Sequence, residues 1–167
     1  IVVSVNFDFK KGSTNKTFKK LKNLFNEIAI NIGQNTLILL ETTVPPGTSE
    51  KIIIPLIKKI FLKRKISAKK INFAYSYERV MPGKNYYNSI VNINRCYSGL
   101  NKKSLNKCET FLKTFVNYKK YPLYKLDKLR DCETSKILEN TYRAVNIAFI
   151  DEWTKYSSKI GVNLNKI

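Results

Sequence analysis

The sequence predicts an α/β fold in which helices cover a parallel sheet and one long helix follows. Short apolar runs alternate with amphipathic helical segments through the first half of the chain, as strands and crossover helices do around a parallel sheet. From Cys132 onward the pattern is helical and contains no proline or glycine before Gly161. A helix of that length is long for one globular unit, so we expect it to leave the sheet and begin a second, helical unit.

Five elements alternate in the first half of the chain. The patterns predict, in order, a strand at residues 1–5, a helix at 16–32, a strand at 36–40, a helix at 52–61 and a strand at 71–75, with a loop at 6–15. The first helix has apolar residues at helical spacing, and Gly33 is placed to stop it. Pro55 should kink the second helix or confine regular helical geometry to one side of it.

The second half of the chain has weaker strand patterns. Residues 95–99 favour another short strand, and residues 123–126 favour an edge strand. Between them, apolar residues at 105–115 recur at helical spacing. The long helix should cover residues 132–160.

Composition favours a globular domain over a membrane protein. At 167 residues with 43% hydrophobic side chains, the chain is long enough and apolar enough to bury a core. It contains neither an apolar stretch long enough to span a membrane nor the pattern of a signal peptide. We therefore predict a cytoplasmic protein with no membrane partner.

The formal charge of +19 raises the alternative of a basic nucleic-acid-binding module. However, the lysines are spread over nearly every predicted helix and are not gathered into one patch. We therefore interpret the charge mainly as solvated helix faces and predict no nucleic-acid partner. A diffuse positive field would still attract an anionic ligand such as a nucleotide diphosphate.

The cysteine and histidine content excludes several kinds of site. The three cysteines, Cys96, Cys108 and Cys132, are odd in number and scattered, and the chain has no histidine. This argues against a disulfide framework and against a zinc site, so we predict no metal. Without histidine, a Ser-His or Cys-His catalytic pair is excluded within these residues.

A rigid polar turn follows the predicted strand at 36–40. Two prolines and a glycine, at positions 45–47, stand just before a predicted helix start. In an open α/β sheet, ligands bind outside the carboxyl ends of the strands, so we expect Thr42 and Thr43 to face a ligand crevice. An ordinary strand-to-helix turn would show the same pattern.

Charged and turn residues also end the predicted strand at 71–75. The segment at 76–84 should lie across the same crevice as Thr43, and Glu78 would then face a ligand. The alternative is that Glu78 and Arg79 form a plain surface pair.

Three polar residues of the predicted long helix share one face. The three are Lys136, Asn140 and Arg143, and each lies about one helical turn from the next. A lysine and an asparagine one turn apart can both aim hydrogen-bond donors at one oxygen. The alternative is three solvated residues on a helix surface.

Three motifs, in order along the chain, resemble those of the UDP-glucose/GDP-mannose dehydrogenase family, NAD-dependent enzymes that oxidise a nucleotide sugar to its uronic acid. Residues 41–48, Glu-Thr-Thr-Val-Pro-Pro-Gly-Thr, resemble the family's Glu-Ser-Thr-Val-Pro-Pro-Gly-Thr turn. Residues 77–84, Tyr-Glu-Arg-Val-Met-Pro-Gly-Lys, resemble its Pro-Glu-Arg-Val-x-Pro-Gly-Lys loop, with Tyr77 in place of the first proline. Lys136 with residues 139–148 resembles the start of its central helix. The Pro-Glu-Arg form of the loop favours the branch that acts on UDP-N-acetylhexosamines such as UDP-N-acetylmannosamine over the UDP-glucose branch.

The resemblance implies a Rossmann-like sheet, NAD as the cofactor, and a UDP-sugar as the substrate, either a UDP-N-acetylhexosamine or UDP-glucose. It also implies catalytic roles. The threonine matching Thr43 lies by the nicotinamide and helps hold a catalytic water, and the glutamate matching Glu78 acts as a general base or orients water. The lysine and asparagine matching Lys136 and Asn140 stabilise oxyanionic intermediates near C6 of the sugar.

Binding residues and partners are implied in the same way. The cofactor residues are Val5, Thr42 and Thr43, and the substrate residues are Glu78, Arg79, Val80, Lys136, Asn140 and Arg143. The product would be a precursor for a polysaccharide. The central helix would pair two subunits into a homodimer.

The resemblance also implies an internal fragment. The family's Gly-x-Gly-x-x-Gly turn would precede residue 1, and its nucleophilic cysteine and carboxyl-terminal UDP-sugar-binding domain would follow residue 167. None of the cysteines in the chain matches that nucleophile. We predict that residues 1–130 are the later part of the NAD-binding domain and residues 131–167 the start of the central helical dimerisation domain, and we expect the segment to be inactive alone. A non-catalytic, dimer-forming scaffold is the remaining alternative.

Overall fold

The computed structural model describes residues 1–6, 14–80 and 83–167. The chain divides into two compact units, Ile1–Thr134 and Ser135–Ile167. The predicted loop at 6–15 lies mostly outside the described residues, and so do Met81 and Pro82 of the second motif.

The described part of the first unit forms a five-stranded sheet with the strand order β1-β2-β3-β4-β5. The strands are β1 (Val2–Val3), β2 (Leu37–Leu40), β3 (Asn72–Tyr75), β4 (Arg95–Gly99) and β5 (Leu123–Lys125). β1, β2 and β3 pair in parallel, as do β4 and β5, whereas β3 and β4 are antiparallel. The predicted α/β fold is confirmed, with a sheet that is mostly parallel.

Among the described residues there are five α-helices: α1 (Thr14–Asn31), α2 (Ile54–Lys63), α3 (Tyr86–Val91), α4 (Lys102–Lys113) and α5 (Leu129–Lys159). The four longer helices lie where the sequence predicts them, and α3 is an addition. Pro55 lies in the first turn of α2, and a π-helical turn at Ser49–Ile53 directly precedes that helix. Regular helical geometry is therefore confined to one side of the proline.

The antiparallel β3–β4 pair is a departure from the predicted alternation of parallel strands. Among the described residues of the connection between the two strands, the one α-helix is the six-residue α3, and the antiparallel pairing shows that the chain does not cross the sheet. Antiparallel neighbours can be joined at a single edge of the sheet, so this connection starts and ends at the edge where β3 ends. As a result, β4 begins at the edge where β2 and β3 end, and its first residue, Arg95, lies there.

Helices cover both faces of the sheet. Along β2, Ile38 and Leu40 belong to the core formed with α1, α2 and the beginning of α5, whereas Leu39 packs in the core formed with α4. Successive side chains of a strand point to opposite faces, so β2 is buried on both. This double burial explains why the strand is a continuous apolar run.

The second unit consists of the remainder of α5 and a short 3₁₀ turn at Leu164–Lys166. Within the chain, residues 140–156 of α5 are all exposed, and several of them are large and apolar, such as Tyr142, Phe149 and Trp153. In the part of the chain that the structure describes, no helix combines the length and the apolar character needed to cross a membrane.

Candidate active site

The strand ends bring two of the predicted catalytic residues to one edge of the sheet. β2 and β3 are parallel and paired with Leu40 opposite Tyr75, and the N–H of Ser76 donates to the carbonyl oxygen of Leu40 at 3.1 Å. The segments that carry Thr43 and Glu78 therefore leave the sheet side by side. In an open α/β sheet, this is the edge where ligands bind.

Thr42 and Thr43 have different surroundings, although the sequence predicts that both face the crevice. The buried Thr42 hydroxyl accepts a hydrogen bond from the N–H of Val5 at 2.9 Å, and its oxygen lies 2.9 and 3.3 Å from the carbonyl oxygens of Val5 and Val3. Thr43 is only half-buried. Thr42 thus ties the end of β1 to the loop after β2, and Thr43 is the more accessible of the two threonines. Their predicted contacts with a cofactor stay predictions.

A buried carboxylate from α5 holds the turn after β2. Glu133 is fully buried, and its two carboxylate oxygens accept hydrogen bonds from the N–H groups of Gly47 at 2.5 Å and Ser49 at 2.8 Å. Gly47 has a φ of +86°, a conformation that favours glycine. The Thr48 hydroxyl donates to the carbonyl oxygen of Pro45 at 2.6 Å. The turn is therefore closed by its own residues and held from α5 by Glu133.

The surroundings of Glu133 raise the pKa of its carboxyl above the ordinary value. Burial disfavours the charged form, and the hydrogen bonds from Ser49 and Gly47 oppose this effect without cancelling it. Sequence reasoning misses Glu133, because an acidic residue near the start of a helix is common and needs no special partner.

A buried ion pair joins the same loop to β4. Arg95 Nη1 lies 2.8 Å from Glu41 Oε1, and the two side chains keep only 2% and 10% of their exposure. The Arg95 guanidinium also lies over the Phe115 ring, 5.3 Å from its centroid. The pair can form because β4 starts at the edge where β2 ends. Sequence reasoning misses it as well, since its partners are 54 residues apart.

The residues after β3 make contacts with near neighbours. Glu78 is half-buried, and its Oε2 accepts a hydrogen bond from the N–H of Val80 at 2.6 Å. Arg79 Nη2 donates to the Tyr77 hydroxyl oxygen at 3.3 Å, and the guanidinium lies 5.5 Å from the centroid of the Tyr77 ring. Tyr77 itself is buried. The tyrosine that stands where the family motif has proline therefore supports the neighbouring arginine.

A cavity of about 510 Å³ opens at this edge of the sheet. Its lining includes the acidic Glu41 and Glu78, the basic Arg95, and several apolar side chains, among them Val80. The volume is within the range of small-molecule sites. Of the predicted site residues, the cavity brings together Glu78 and Val80, and Thr43 is not part of its lining.

The other two predicted catalytic residues lie on α5 in the second unit. Lys136 is 7% exposed, whereas Asn140 and Arg143 are exposed. Because α5 is continuous through these positions, the three residues follow one another along one helix face. Their grouping with Thr43 and Glu78 in one site stays a prediction.

The buried cysteines are poorly suited to nucleophilic chemistry. Burial raises the pKa of the Cys108 thiol to about 12. Burial also raises the pKa of the Cys132 thiol. Since the thiolate is the reactive form, neither thiol is activated. Within the described ranges, no group of three or more Cys, Asp or Glu side chains is arranged to hold a metal ion.

The mostly parallel sheet, its covering helices and its strand-end loops define a Rossmann-like nucleotide-binding domain. Comparison with known proteins then gives the family. The chain belongs to the UDP-glucose/GDP-mannose dehydrogenase family: residues 1–116 match the family's NAD binding domain, and residues 130–167 match its central domain. The resemblance carried by the three motifs is confirmed.

Several relatives are named for one nucleotide sugar. A UDP-N-acetyl-D-mannosamine dehydrogenase from Methanococcus vannielii is 35% identical over 139 residues, which are 83% of this chain and 29% of that protein. The structure of a UDP-D-ManNAc dehydrogenase from Pyrococcus horikoshii matches with a TM-score of 0.76 and 28% identity, over 89% of this chain and 34% of that one. The UDP-N-acetyl-mannosamine dehydrogenase Cap5O from Staphylococcus aureus matches with a TM-score of 0.70 and 27% identity over the same shares. The chain thus spans about a third of the length of these proteins.

Proposed function

We propose that the chain is part of an NAD-dependent dehydrogenase that oxidises the C6 alcohol of a UDP-sugar to the uronic acid in two hydride transfers. The observation that carries the proposal is the pair of adjacent strand-end loops, with Thr43 after β2 and Glu78 after β3, in a chain of this family. The relatives' names make a UDP-N-acetylhexosamine the first candidate substrate and UDP-glucose the second. The product would serve polysaccharide biosynthesis in the cytoplasm.

We assign three of the described residues to the nicotinamide end of NAD. Val5, just after β1, keeps 40% of its surface exposed, and Thr43 is half-buried, so both residues are partly accessible at the ligand-binding edge. Thr42 holds the two segments together through its hydrogen bonds with Val5. In this proposal the three residues hold the cofactor, which supplies the hydride acceptor when it is bound.

Four side chains are assigned to the chemistry. Glu78 takes the proton from the C6 hydroxyl or orients a water, and Thr43 holds that water. Lys136 and Asn140 donate hydrogen bonds to the oxygen that becomes negatively charged. The substrate is also contacted by residues on the β3 side and on α5: Arg79, Val80 and Arg143.

The proposal is tested by following NADH formation with UDP-N-acetylmannosamine or UDP-glucose in the longer protein that carries this segment. Lys136→Ala should lower kcat by roughly 10²- to 10³-fold, because it removes a donor aimed at developing negative charge. The affinity for NAD should change little. Lys58→Ala is the matched control, since Lys58 is an exposed lysine on α2.

Two outcomes would contradict the proposal at different levels. If the unmodified protein forms no NADH with either sugar, the proposed function is wrong. If the protein is active but Lys136→Ala keeps the full rate, the function stands and the assignment of Lys136 is wrong.

We also propose that α5 pairs two copies of the protein. Within the chain, Tyr142, Val145 and Phe149 are 72%, 62% and 60% exposed. Exposed apolar side chains along one helix favour burial against a partner. A monomeric mass for the longer protein in light scattering would contradict the dimer.

A further inference from the structure

We infer that Glu133 is a positioning residue for Thr43, acting through the turn at 45–49. The inference rests on the proposed function, because the catalytic role of Thr43 is part of that proposal. Glu133 is fully buried and accepts two backbone hydrogen bonds, from Gly47 at 2.5 Å and from Ser49 at 2.8 Å. A carboxylate that accepts two fixed N–H groups determines both the place and the orientation of that backbone.

The turn can pass this constraint on to Thr43. Ser49 begins the π-helical turn, and the first N–H groups of a helical segment have no partner within the helix. The Glu133 carboxylate is the partner of the Ser49 N–H, although the two residues are 84 positions apart in the sequence. Pro45 and Pro46 lie between Gly47 and Thr43 and have a fixed φ, so a displacement at Gly47 is passed along this short segment.

A second link between the same two elements provides a natural control. Arg130, also on α5, donates from Nε and Nη2 to Glu50 Oε2 at 2.9 and 2.6 Å. This ion pair is solvent-exposed, and it involves no backbone group of the turn. Removing it loosens the junction between α5 and the segment after β2 without changing the N–H groups of Gly47 and Ser49.

Glu133 also precedes Lys136 by three residues in α5. A change at position 133 is therefore close in sequence to another proposed catalytic residue. The experiment has to separate an effect through Thr43 from an effect on Lys136.

The first test is Glu133→Gln in the longer protein. The carboxamide keeps the size of the side chain, but its NH₂ group faces one of the two backbone N–H donors, so one hydrogen bond is lost. We expect kcat for NADH formation to fall by roughly tenfold or more, because small displacements of catalytic groups have large effects on rate. KM for the UDP-sugar should change little, and Glu50→Gln should keep the full kcat. A full kcat in Glu133→Gln, or an equal loss in Glu50→Gln, would overturn the inference.

The second test is a double-mutant cycle with Thr43→Ala. If Glu133 acts through Thr43, adding Glu133→Gln to Thr43→Ala lowers kcat no further. If the two losses multiply, Glu133 acts elsewhere and the inference is wrong.

The third test does not depend on activity. Hydrogen exchange followed by mass spectrometry should show faster exchange in the segment at 43–49 for Glu133→Gln, and unchanged exchange there for Glu50→Gln. Unchanged exchange in Glu133→Gln would overturn the inference. This result also separates the two proposals, since it decides whether Glu133 holds the turn even if the unmodified protein forms no NADH.

A milder variant serves if Glu133→Gln fails to fold. Glu133→Asp keeps the charge on a side chain one methylene shorter, so both kcat and exchange should change in the same directions by smaller amounts. Unaltered kcat and unaltered exchange in Glu133→Asp would overturn the inference.

Discussion

The two loops that leave the sheet side by side are held in different ways. In the β2 loop (residues 41–49), most side chains are buried, and the contacts come from residues 33 to 86 positions away: the Tyr75 hydroxyl on the Thr42 carbonyl, Arg95 on Glu41, and Glu133 on Gly47. In the β3 loop (residues 76–80), Ser76 and Tyr77 are buried and contact the distant Leu40 and Cys96. The residues that follow them, 78–80, are half-buried, and Glu78 and Arg79 each make a contact two positions away.

This difference indicates which part of the proposed site is held firmly in place. A loop that several distant elements hold cannot move without breaking buried contacts, whereas half-buried residues such as 78–80 are less constrained by packing. In the proposed enzyme, the β2 loop carries Thr43 next to a cofactor that never changes. In the same proposal, the β3 loop would carry Glu78 and Arg79 towards the sugar.

The largest effect on this comparison is expected from Arg95→Met, which removes the buried partner of Glu41. The remaining carboxylate is buried without its arginine, so the free energy of unfolding should fall by about 3–5 kcal/mol. Urea unfolding of the chain measures this loss. Arg130→Met breaks the exposed pair with Glu50 and should cause little change.

A second substitution checks that the loss comes from the Glu41 carboxylate that has lost its arginine. Adding Glu41→Gln to Arg95→Met removes that charge and should recover part of the stability. If Arg95→Met costs no more than Arg130→Met, the buried pair does not hold the β2 loop.

A smaller effect is expected from Thr42→Val, which keeps the shape of the side chain and removes its hydroxyl. The N–H of Val5 then loses its acceptor, so the free energy of unfolding should fall by about 1–3 kcal/mol. Thr43→Val at the half-buried neighbouring position should leave the stability nearly unchanged. Equal losses for the two threonines would show that Thr42 does not differ from Thr43 in holding the loop.

The smallest effect is expected from Tyr77→Phe in the β3 loop. The ring beneath the Arg79 guanidinium remains, whereas the hydroxyl loses the hydrogen bond from Arg79 at 3.3 Å and its contact with Cys96 Sγ at 3.9 Å. The free energy of unfolding should fall by about 0.5–1 kcal/mol, measured in the same urea experiment. A loss as large as that of Arg95→Met would mean that both loops are held with equal strength, and the comparison would fail.

Much of the fold was predictable, because the patterns that specify it are local. The continuous apolar run at 36–40 and the helical spacing from 132 onward each depend on neighbouring residues, and both elements are present. The effect of Pro55 was predictable for the same reason, since a proline acts on its own turn. The helix α3 was not predicted, because six residues carry too little periodicity.

The contacts that hold the site were not predictable in the same way. Nothing near Glu133 in the sequence distinguishes it from other acidic residues of helices, and nothing near Arg95 indicates Glu41 as its partner. The antiparallel direction of β4, which brings Arg95 to the edge of the sheet, depends on how the segment at 76–94 folds back.

By itself, the sequence determined the alternating strands and helices, the long last helix, the family, and the motifs that carry Thr43, Glu78, Lys136 and Asn140. Only the tertiary structure decided that Thr42 holds its own loop, that Arg95 neutralises Glu41, and that Glu133 holds the turn after β2. The physical reason is that periodicity and turn chemistry act between neighbours. Buried polar contacts, by contrast, arise where strand pairing and helix packing bring distant residues together.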